Sequence, residues 1–366
     1  MPPLLSICIP TYNRADMLRD LLECLSIEIT PFNNEVELIV SDNCSTDHTP
    51  EVAEQMSKKV GIRYHRNSKN IGFASNVKIM VEQLATGEFC LIVGDDDIVR
   101  RGIIEKILKT IREYPEIDYI FMNLNFVHIQ RRVDLLKRIT EPVDISKIHD
   151  VMCYRQEDSY VKCGEDVISF THMAGLFGPM PSNIFRRSQW KEVKLDPGRV
   201  SDFPLFESAL PHIAGIAHMI VAKPCFYIGY PYVAFSSMTQ EWFDHWWPTV
   251  LLGPILTVSD LFEELGARKE MVDKYRKLVF KHQPAAYYFW MLLMKKDNVY
   301  HGHFSLVSLV KRYYMYPEFW EMIFRPIAAK IKFYYRNPVK LPQSIMRKLR
   351  AWHGSRGGRM ASGSRD

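Results

Sequence analysis

Seven cysteines are spread over the 366 residues with no CxxC pair and no zinc-type spacing. That pattern argues against a disulfide framework or a structural zinc site and predicts reduced thiols in a cytoplasmic setting. No apolar run reaches the ~18 residues a spanning helix needs. The densest stretch, Ala285–Met294, is bounded by Lys281 and Lys295, so no transmembrane helix is predicted. The opening "MPPLLSICIPTYNR" lacks a basic n-region and has too short an apolar run for a secretory leader. What remains is a globular composition, 47% hydrophobic and 24% charged, with room for one large domain or two smaller ones.

Charge is divided along the chain. Residues 301–366 carry 13 Lys/Arg against 3 Asp/Glu, whereas residues 1–300 carry 34 against 39. A mildly acidic body is followed by a strongly basic, aromatic tail.

Over the first 130 residues strand-like and helix-like patterns alternate. Leu4–Pro10, Val36–Asp42 and Ile62–Asn67 read as strands. Leu18, Leu21, Leu22 and Leu25 repeat at helical spacing behind Asp16. Residues 74–87 predict a helix closed by Gly87 as its C-cap. The apolar run Phe89–Val93 predicts another strand, residues 103–114 a helix and residues 119–129 a further strand. Such alternation implies a mainly parallel sheet covered on both faces. Residues 130–170 are weakly patterned; 176–190 predict a turn, a strand and a helix start; 201–217 predict a helix with Pro204 in its first turn.

In parallel sheets ligands sit beyond the carboxyl ends of the strands. Asp95, Asp96 and Asp97 end one strand, Asp42 another, and Pro10–Asn13 the first, so three polar clusters converge on one rim. Clustered carboxylates in that place suit a hard divalent cation, Mn²⁺ or Mg²⁺, whose shell is completed by water and substrate phosphates. The alternative is a capped surface turn before "IVRRG".

"CIPTYNRADM", "LIVSDNCSTDHT", "RNSKNIGFASNV" and "LIVGDDD" follow one another in this order. Together they closely resemble family 2 glycosyltransferases of the GT-A fold, an α/β, Rossmann-like architecture with a mainly parallel sheet flanked by helices. The resemblance is strong over about the first 110 residues and looser to about residue 235. It implies a nucleotide-sugar site in which Pro10, Thr11 and Tyr12, with Asn13 and Arg14 beside them, line the base and ribose pocket and Asp42 bonds the base. It further implies that Asn70 and Gly72 let the backbone approach the nucleotide, and that Asn76 lies near the diphosphate. Asp97 is the expected metal ligand, with Asp95 and Asp96 near the ribose and donor sugar and Asp95 within reach of the metal. "GLFGPMPSNIFRRSQW" and the later "PHI" are similar to a narrower group, the abequosyltransferase-like enzymes of bacterial O-antigen assembly.

Inverting members need a general base on an acidic pair 90–110 residues beyond the metal motif. Glu165–Asp166 comes too early; Asp202 stands at a suitable distance, with Glu207 a little over one turn further, and Asp202 before Pro204 also reads as an N-cap. Inversion and retention both stay open. His212 and His218 are candidate third ligands or diphosphate contacts, His212 the preferred one, and Arg186 and Arg187 candidate phosphate or acceptor contacts.

The stretch Lys311–Trp352 mixes basic and aromatic residues in the manner of helices that lie on anionic membranes; no RNA-binding motif supports a nucleic-acid partner. The expected organisation is a transferase domain over 1–235, a helical membrane-associating and acceptor region over 236–352, and a disordered tail over 353–366. The expected function is metal-assisted transfer of a sugar from a nucleotide donor to a hydroxyl of a lipid-linked glycan. The enzyme would work at the inner face of a bacterial plasma membrane, as a peripheral protein of O-antigen or lipopolysaccharide synthesis. One rival is a sugar nucleotidyltransferase, against which stands "PTYNR" where a Gly-rich phosphate loop should be. The other is a catalytically silent scaffold binding nucleotide and membrane, for which three adjacent aspartates serve no purpose.

Overall fold

The computed structural model describes residues 2–128, 148–173, 176–192, 211–237, 258–281 and 306–336. Among these residues nine strands form a single sheet in the spatial order β3 (Ile62–Arg66), β2 (Val36–Asp42), β1 (Leu5–Thr11), β4 (Phe89–Ile92), β8 (Asn183–Arg186), β6 (Tyr119–His128), β9 (Cys225–Ser237) and β5 (Ile98–Val99), with β7 (Ser159–Val161) added beside β9. Its first half is parallel: β1 (Leu5–Thr11) lies between β2 (Val36–Asp42) and β4 (Phe89–Ile92), and β3 (Ile62–Arg66) flanks β2. Every residue of β1 and of β4 is buried, as continuous apolar runs covered on both faces must be. The helix α1 (Ala15–Ile29) buries Leu18, Leu21, Leu22 and Leu25. Their i, i+3, i+4, i+7 spacing makes one apolar stripe.

Helix α2 (Thr49–Ser57) joins β2 to β3, and α3 (Phe73–Ile79) joins β3 to β4. The segment after α3 widens into a π-helical turn, Met80–Leu84, and ends with Ala85 extended. The predicted cap at Gly87 is therefore corrected. Gly87 is needed for closeness, since a Cβ there would stand 2.5 Å from the Ser6 hydroxyl and 2.8 Å from its backbone nitrogen. Helix α4 (Ile103–Glu113) starts after Gly102, whose φ is +85°, and Glu28 accepts the Gly102 N–H at 2.7 Å.

The second half of the sheet is mixed. β8 (Asn183–Arg186) runs antiparallel between β4 and β6 (Tyr119–His128), and β9 (Cys225–Ser237) runs parallel to β6. The register slips between Met122 and Leu124, where β9 spends Gly229–Tyr232 in a bulge. β7 (Ser159–Val161) and the two-residue β5 (Ile98–Val99) both pair antiparallel with β9. β9 extends to Ser237, two residues beyond the expected end of the transferase domain.

The helices Lys269–Lys281, Leu306–Tyr313 and Pro317–Arg336 pack around Phe280, whose ring lies 5.5 Å from those of Tyr313 and Phe319. Buried Arg276, on the first of them, contacts Asp260 at 3.0 Å, Glu263 and the Tyr316 hydroxyl just before the third. This helical unit rests on the sheet unit through Phe177, which meets Phe262 edge-on at 5.7 Å, and through Arg268 against Glu165 and Asp166. Among the described residues no helix is long and apolar enough to cross a membrane.

Candidate active site

Because β1, β2 and β4 are parallel, their carboxyl ends emerge on one edge: Thr11 pairs with Asp42, and Cys8 with Ile92. The loops leaving β1 and β2 are bonded to each other. Asn13, at φ +53°, donates its N–H to Ser45 Oγ at 2.9 Å and accepts the Thr46 N–H at 2.7 Å. Asp47 links the starts of two helices, accepting from Ala15 N–H at 3.1 Å and from the Thr49 hydroxyl at 2.6 Å. Pro10 and Thr11 are buried, while Tyr12 and Arg14 are half-buried at the mouth.

Asp42 is fully buried, and both of its oxygens are engaged: Oδ1 accepts the Ser45 N–H at 2.7 Å, and Oδ2 accepts the Tyr64 hydroxyl at 2.7 Å with Arg66 Nε 3.5 Å away. Oδ1, with one partner, keeps a second lone pair. Tyr64 and Ser45 are partners of Asp42 that the sequence does not single out. Tyr64 lies mid-strand in β3, and only the β2–β3 register, Val40 beside Tyr64, shows that it reaches Asp42.

Asn76, expected near the diphosphate, is instead 2% exposed and turned into an amide network. Its Oδ1 accepts from Ser41 Oγ at 2.6 Å and Asn67 Nδ2 at 2.8 Å, while its Nδ2 donates to the Ser41 carbonyl at 2.9 Å. Asn43 continues the network to Asn70 at 2.8 Å, and Asn70 accepts the Gly72 N–H at 2.9 Å. Gly72 sits at φ +82° with open space where a Cβ would be, so this glycine serves the backbone turn and leaves room above it.

The aspartate triplet is a folded turn. Asp97 N–H donates to the Gly94 carbonyl at 3.1 Å, and Gly94 N–H donates back to Asp97 Oδ2 at 3.1 Å. A Cβ at Gly94 would stand 2.7 Å from Asp96 Oδ1, so a side chain there would displace that carboxylate. Asp97 Oδ1 accepts the Ser236 N–H at 3.1 Å from β9, and the Ser236 hydroxyl donates to the Asp96 carbonyl. Arg14 Nη1 bridges Asp95 Oδ1 at 3.2 Å and Asp96 Oδ2 at 3.0 Å. The Thr11 hydroxyl, buried and short of full hydrogen-bond geometry, also faces Asp95.

Three carboxylates are thus 0–6% exposed within one turn. Burial, opposed by Arg14 and reinforced by Asp96, pushes Asp95 up to about 7. Burial and then the Asp96 charge push Asp97 well above the usual carboxylate range, although two backbone N–H groups favour its ionised form. A site that strains against its own negative charge favours a cation, and a cationic group already lies between Asp95 and Asp96. Hard oxygen donors of this kind fit Mg²⁺ or Mn²⁺ held by one or two carboxylates together with a diphosphate. Among the described residues no group of three or more His, Cys, Asp or Glu is arranged around one cation.

His212 does not join the carboxylates among the described contacts. It is 1% exposed and its Nε2 faces the carbonyls of Phe177 at 3.1 Å and Gly178 at 3.2 Å, with Nδ1 buried and without a described partner. Burial pulls it down to about 4. His218 is half-buried at the other end of the helix Pro211–Ile220. Arg186 is a correction. Its register partner is Phe89, at the start of β4 and so at the edge opposite the triplet; it stacks on that ring and pairs with Asp118 at 2.7 Å and with Glu88. Arg187 Nε donates to the Gly87 carbonyl at that same end. Asp202 and Glu207 lie outside the described residues.

Residues 6–175 match the family described as Glycosyl transferase family 2. Abequosyltransferase RfbV of Salmonella typhimurium is 26% identical over 225 residues, which are 57% of this chain and 59% of that protein. GalNAc(5)-diNAcBac-PP-undecaprenol beta-1,3-glucosyltransferase of Campylobacter jejuni is 32% identical over 113 residues, 30% of this chain and 35% of that protein. The matches thus span about three-fifths and one-third of those relatives. Among solved structures, S. aureus TarS 1–349 superposes with a TM-score of 0.55 at 16% identity, covering 88% of this chain and 81% of that one. The same protein in complex with UDP-GlcNAc gives 0.52 at 18% identity, covering 88% and 82%. At such identities the likeness establishes the fold, which is GT-A.

Proposed function

We propose, from the glycosyl transferase family 2 domain over residues 6–175, that the protein transfers a sugar from a nucleotide donor to a glycan hydroxyl in bacterial surface polysaccharide synthesis. The observation that carries this reading is the meeting of the β1, β2 and β4 ends around Asp42, Arg14 and the buried carboxylates of Asp95–Asp97.

In this reading the nucleoside lies against Pro10–Tyr12 and the open backbone at Gly72, with Asp42 accepting from its donor groups. Ser45 and Tyr64 hold the Asp42 carboxylate in one orientation. Asp97, fixed by the Gly94 and Ser236 N–H groups, and Asp95 are the residues that would hold a divalent cation. When bound, Mn²⁺ or Mg²⁺ would neutralise charge developing on the departing nucleoside diphosphate. Asp202 or Glu207 would accept the acceptor's proton in an inverting reaction. The curated relatives support a glycan acceptor, one of them named for a substrate linked to undecaprenol through a diphosphate.

A lipid-linked acceptor would call for an enzyme held at the membrane surface. Exposed Tyr314, Met315, Trp320, Phe324 and Ile327 form an apolar face on the C-terminal helices, beside a tail of mostly basic charge. Such a combination suits an anionic bilayer. The division at about residue 235 then separates donor chemistry from membrane and acceptor handling, with 353–366 as a tail.

The deciding experiment is calorimetry with a panel of nucleoside diphosphates, with and without Mn²⁺. One nucleotide is expected to bind in a metal-dependent way, and Asp97→Ala is expected to lose that dependence with the fold intact. Failure of every nucleotide to bind folded protein sinks the transferase reading and leaves a structural turn.

A further inference from the structure

A turn that buries three carboxyl groups side by side favours a cationic neighbour. Arg14 supplies it: one guanidinium nitrogen contacts two of the three aspartates, at 3.2 and 3.0 Å. The backbone delivering it is fixed, because the preceding residue, Asn13, is in the left-handed region and bonded to Ser45 and Thr46, and the following one, Ala15, is bonded to Asp47. The side chain itself is long and 19% exposed, so it can turn about its own torsions while its Cα stays in place.

From this geometry we infer that Arg14 couples metal entry to donor binding. Its guanidinium occupies Asp95 Oδ1, an oxygen of one of the two carboxylates proposed to hold the cation, together with Asp96 Oδ2 beside it. Two cations cannot share those oxygens at close range without strong repulsion. A diphosphate changes the balance, because a guanidinium bonds phosphate oxygens in bidentate fashion at least as well as it bonds carboxylates. Arg14 then turns from the aspartates to the diphosphate, and the freed Asp95 joins Asp97 in taking the metal. Metal alone therefore binds weakly, metal with diphosphate binds tightly, and each raises the affinity of the other by the same factor. The inference rests on the donor site proposed above.

The test needs no knowledge of the base. Free Mn²⁺ is followed by electron paramagnetic resonance while the full chain is titrated, without and with inorganic pyrophosphate, for wild type, Arg14→Lys, Arg14→Gln and Arg14→Met. Wild type is expected to show pyrophosphate-enhanced Mn²⁺ affinity, in the range of about 5- to 150-fold typical of such coupling. Arg14→Gln and Arg14→Met, two neutral replacements of different polarity, are expected to bind Mn²⁺ more tightly than wild type in the absence of pyrophosphate and to lose most of the enhancement. Arg14→Lys, which keeps the charge but not the fork, should bind Mn²⁺ alone as weakly as wild type and lose part of the pyrophosphate enhancement. If the neutral variants bind Mn²⁺ alone no better than wild type, or keep the full enhancement, the coupling role is overturned while the donor site stands. If wild type binds no Mn²⁺ with pyrophosphate or with any nucleoside diphosphate, the donor site falls and the inference falls with it.

Discussion

His212 shows what a single buried side chain does to the response of this protein to pH. Its ring is 1% exposed, Nε2 is held against two carbonyls, and burial lowers its proton affinity to about 4, against an ordinary value of 6.5. Between those values the unfolded chain holds a proton that the folded chain does not. The contribution to stability is therefore full above about pH 6.5 and is lost as pH falls through 4. His212→Gln is expected to flatten this part of the profile, whose slope is at most about 1.4 kcal/mol per pH unit. Urea unfolding at pH 4.5, 5.5 and 7 checks it, and an unchanged slope would show that the histidine is solvated in the folded protein. The carboxylates of the triplet behave in the opposite sense. Asp95 is held up at about 7 by burial, and a bound cation removes the reason for that proton.

At the scale of one element, the helix Pro317–Arg336 divides its residues between two environments. Phe319, Met322 and Ile323 are buried against the other C-terminal helices, whereas Trp320, Phe324 and Ile327 are exposed at i, i+4 and i+7. The Trp320 and Phe324 rings stack at 6.1 Å and 16°, and the indole N–H donates to the Tyr314 carbonyl at 2.8 Å. A second, exposed apolar stripe on a helix whose first is already packed suits a partner beyond the described residues. The double variant Trp320→Ser, Phe324→Ser is expected to reduce flotation with phosphatidylglycerol vesicles by tenfold or more. Each ring contributes roughly 1.5–3 kcal/mol when fully withdrawn from water. Its melting temperature should stay close to that of wild type. Equal flotation of both proteins would remove this face from the membrane proposal.

The whole molecule depends on a joint between sheet and helices centred on Phe177. Its ring is 1% exposed and packs on Phe121 at 5.9 Å, Phe262 at 5.7 Å and Tyr275 at 6.4 Å. Phe177→Ala is expected to cost about 3–5 kcal/mol, read as a lower unfolding midpoint in urea. Loss of the 177–178 carbonyl positions would also release His212, so the pH profile should change with it. A midpoint equal to wild type would mean that the two units are held by their ion pairs instead.

The parallel half of the sheet was legible because each strand is a short apolar run ended by polar residues, and α1 carries its stripe in four leucines. The rim of Thr11, Asp42 and the aspartate triplet followed from strand order alone. β9 was not legible: "GYPY" interrupts it with a glycine and a proline, and its pairing with β6 crosses over a hundred residues. Arg186 was misplaced for a related reason. Its strand runs antiparallel to β4, which sends a residue at a strand's carboxyl end to the wrong edge. By itself the sequence determined the family resemblance, the parallel core and the acidic rim, because these rest on local runs and short spacings. Only the tertiary structure decided that Arg14 bridges the aspartates, that Asn76 serves an amide network and that Ser236 holds Asp97 from 139 positions away. Such contacts join loops whose approach is fixed by the packing of the sheet, and no local pattern encodes them.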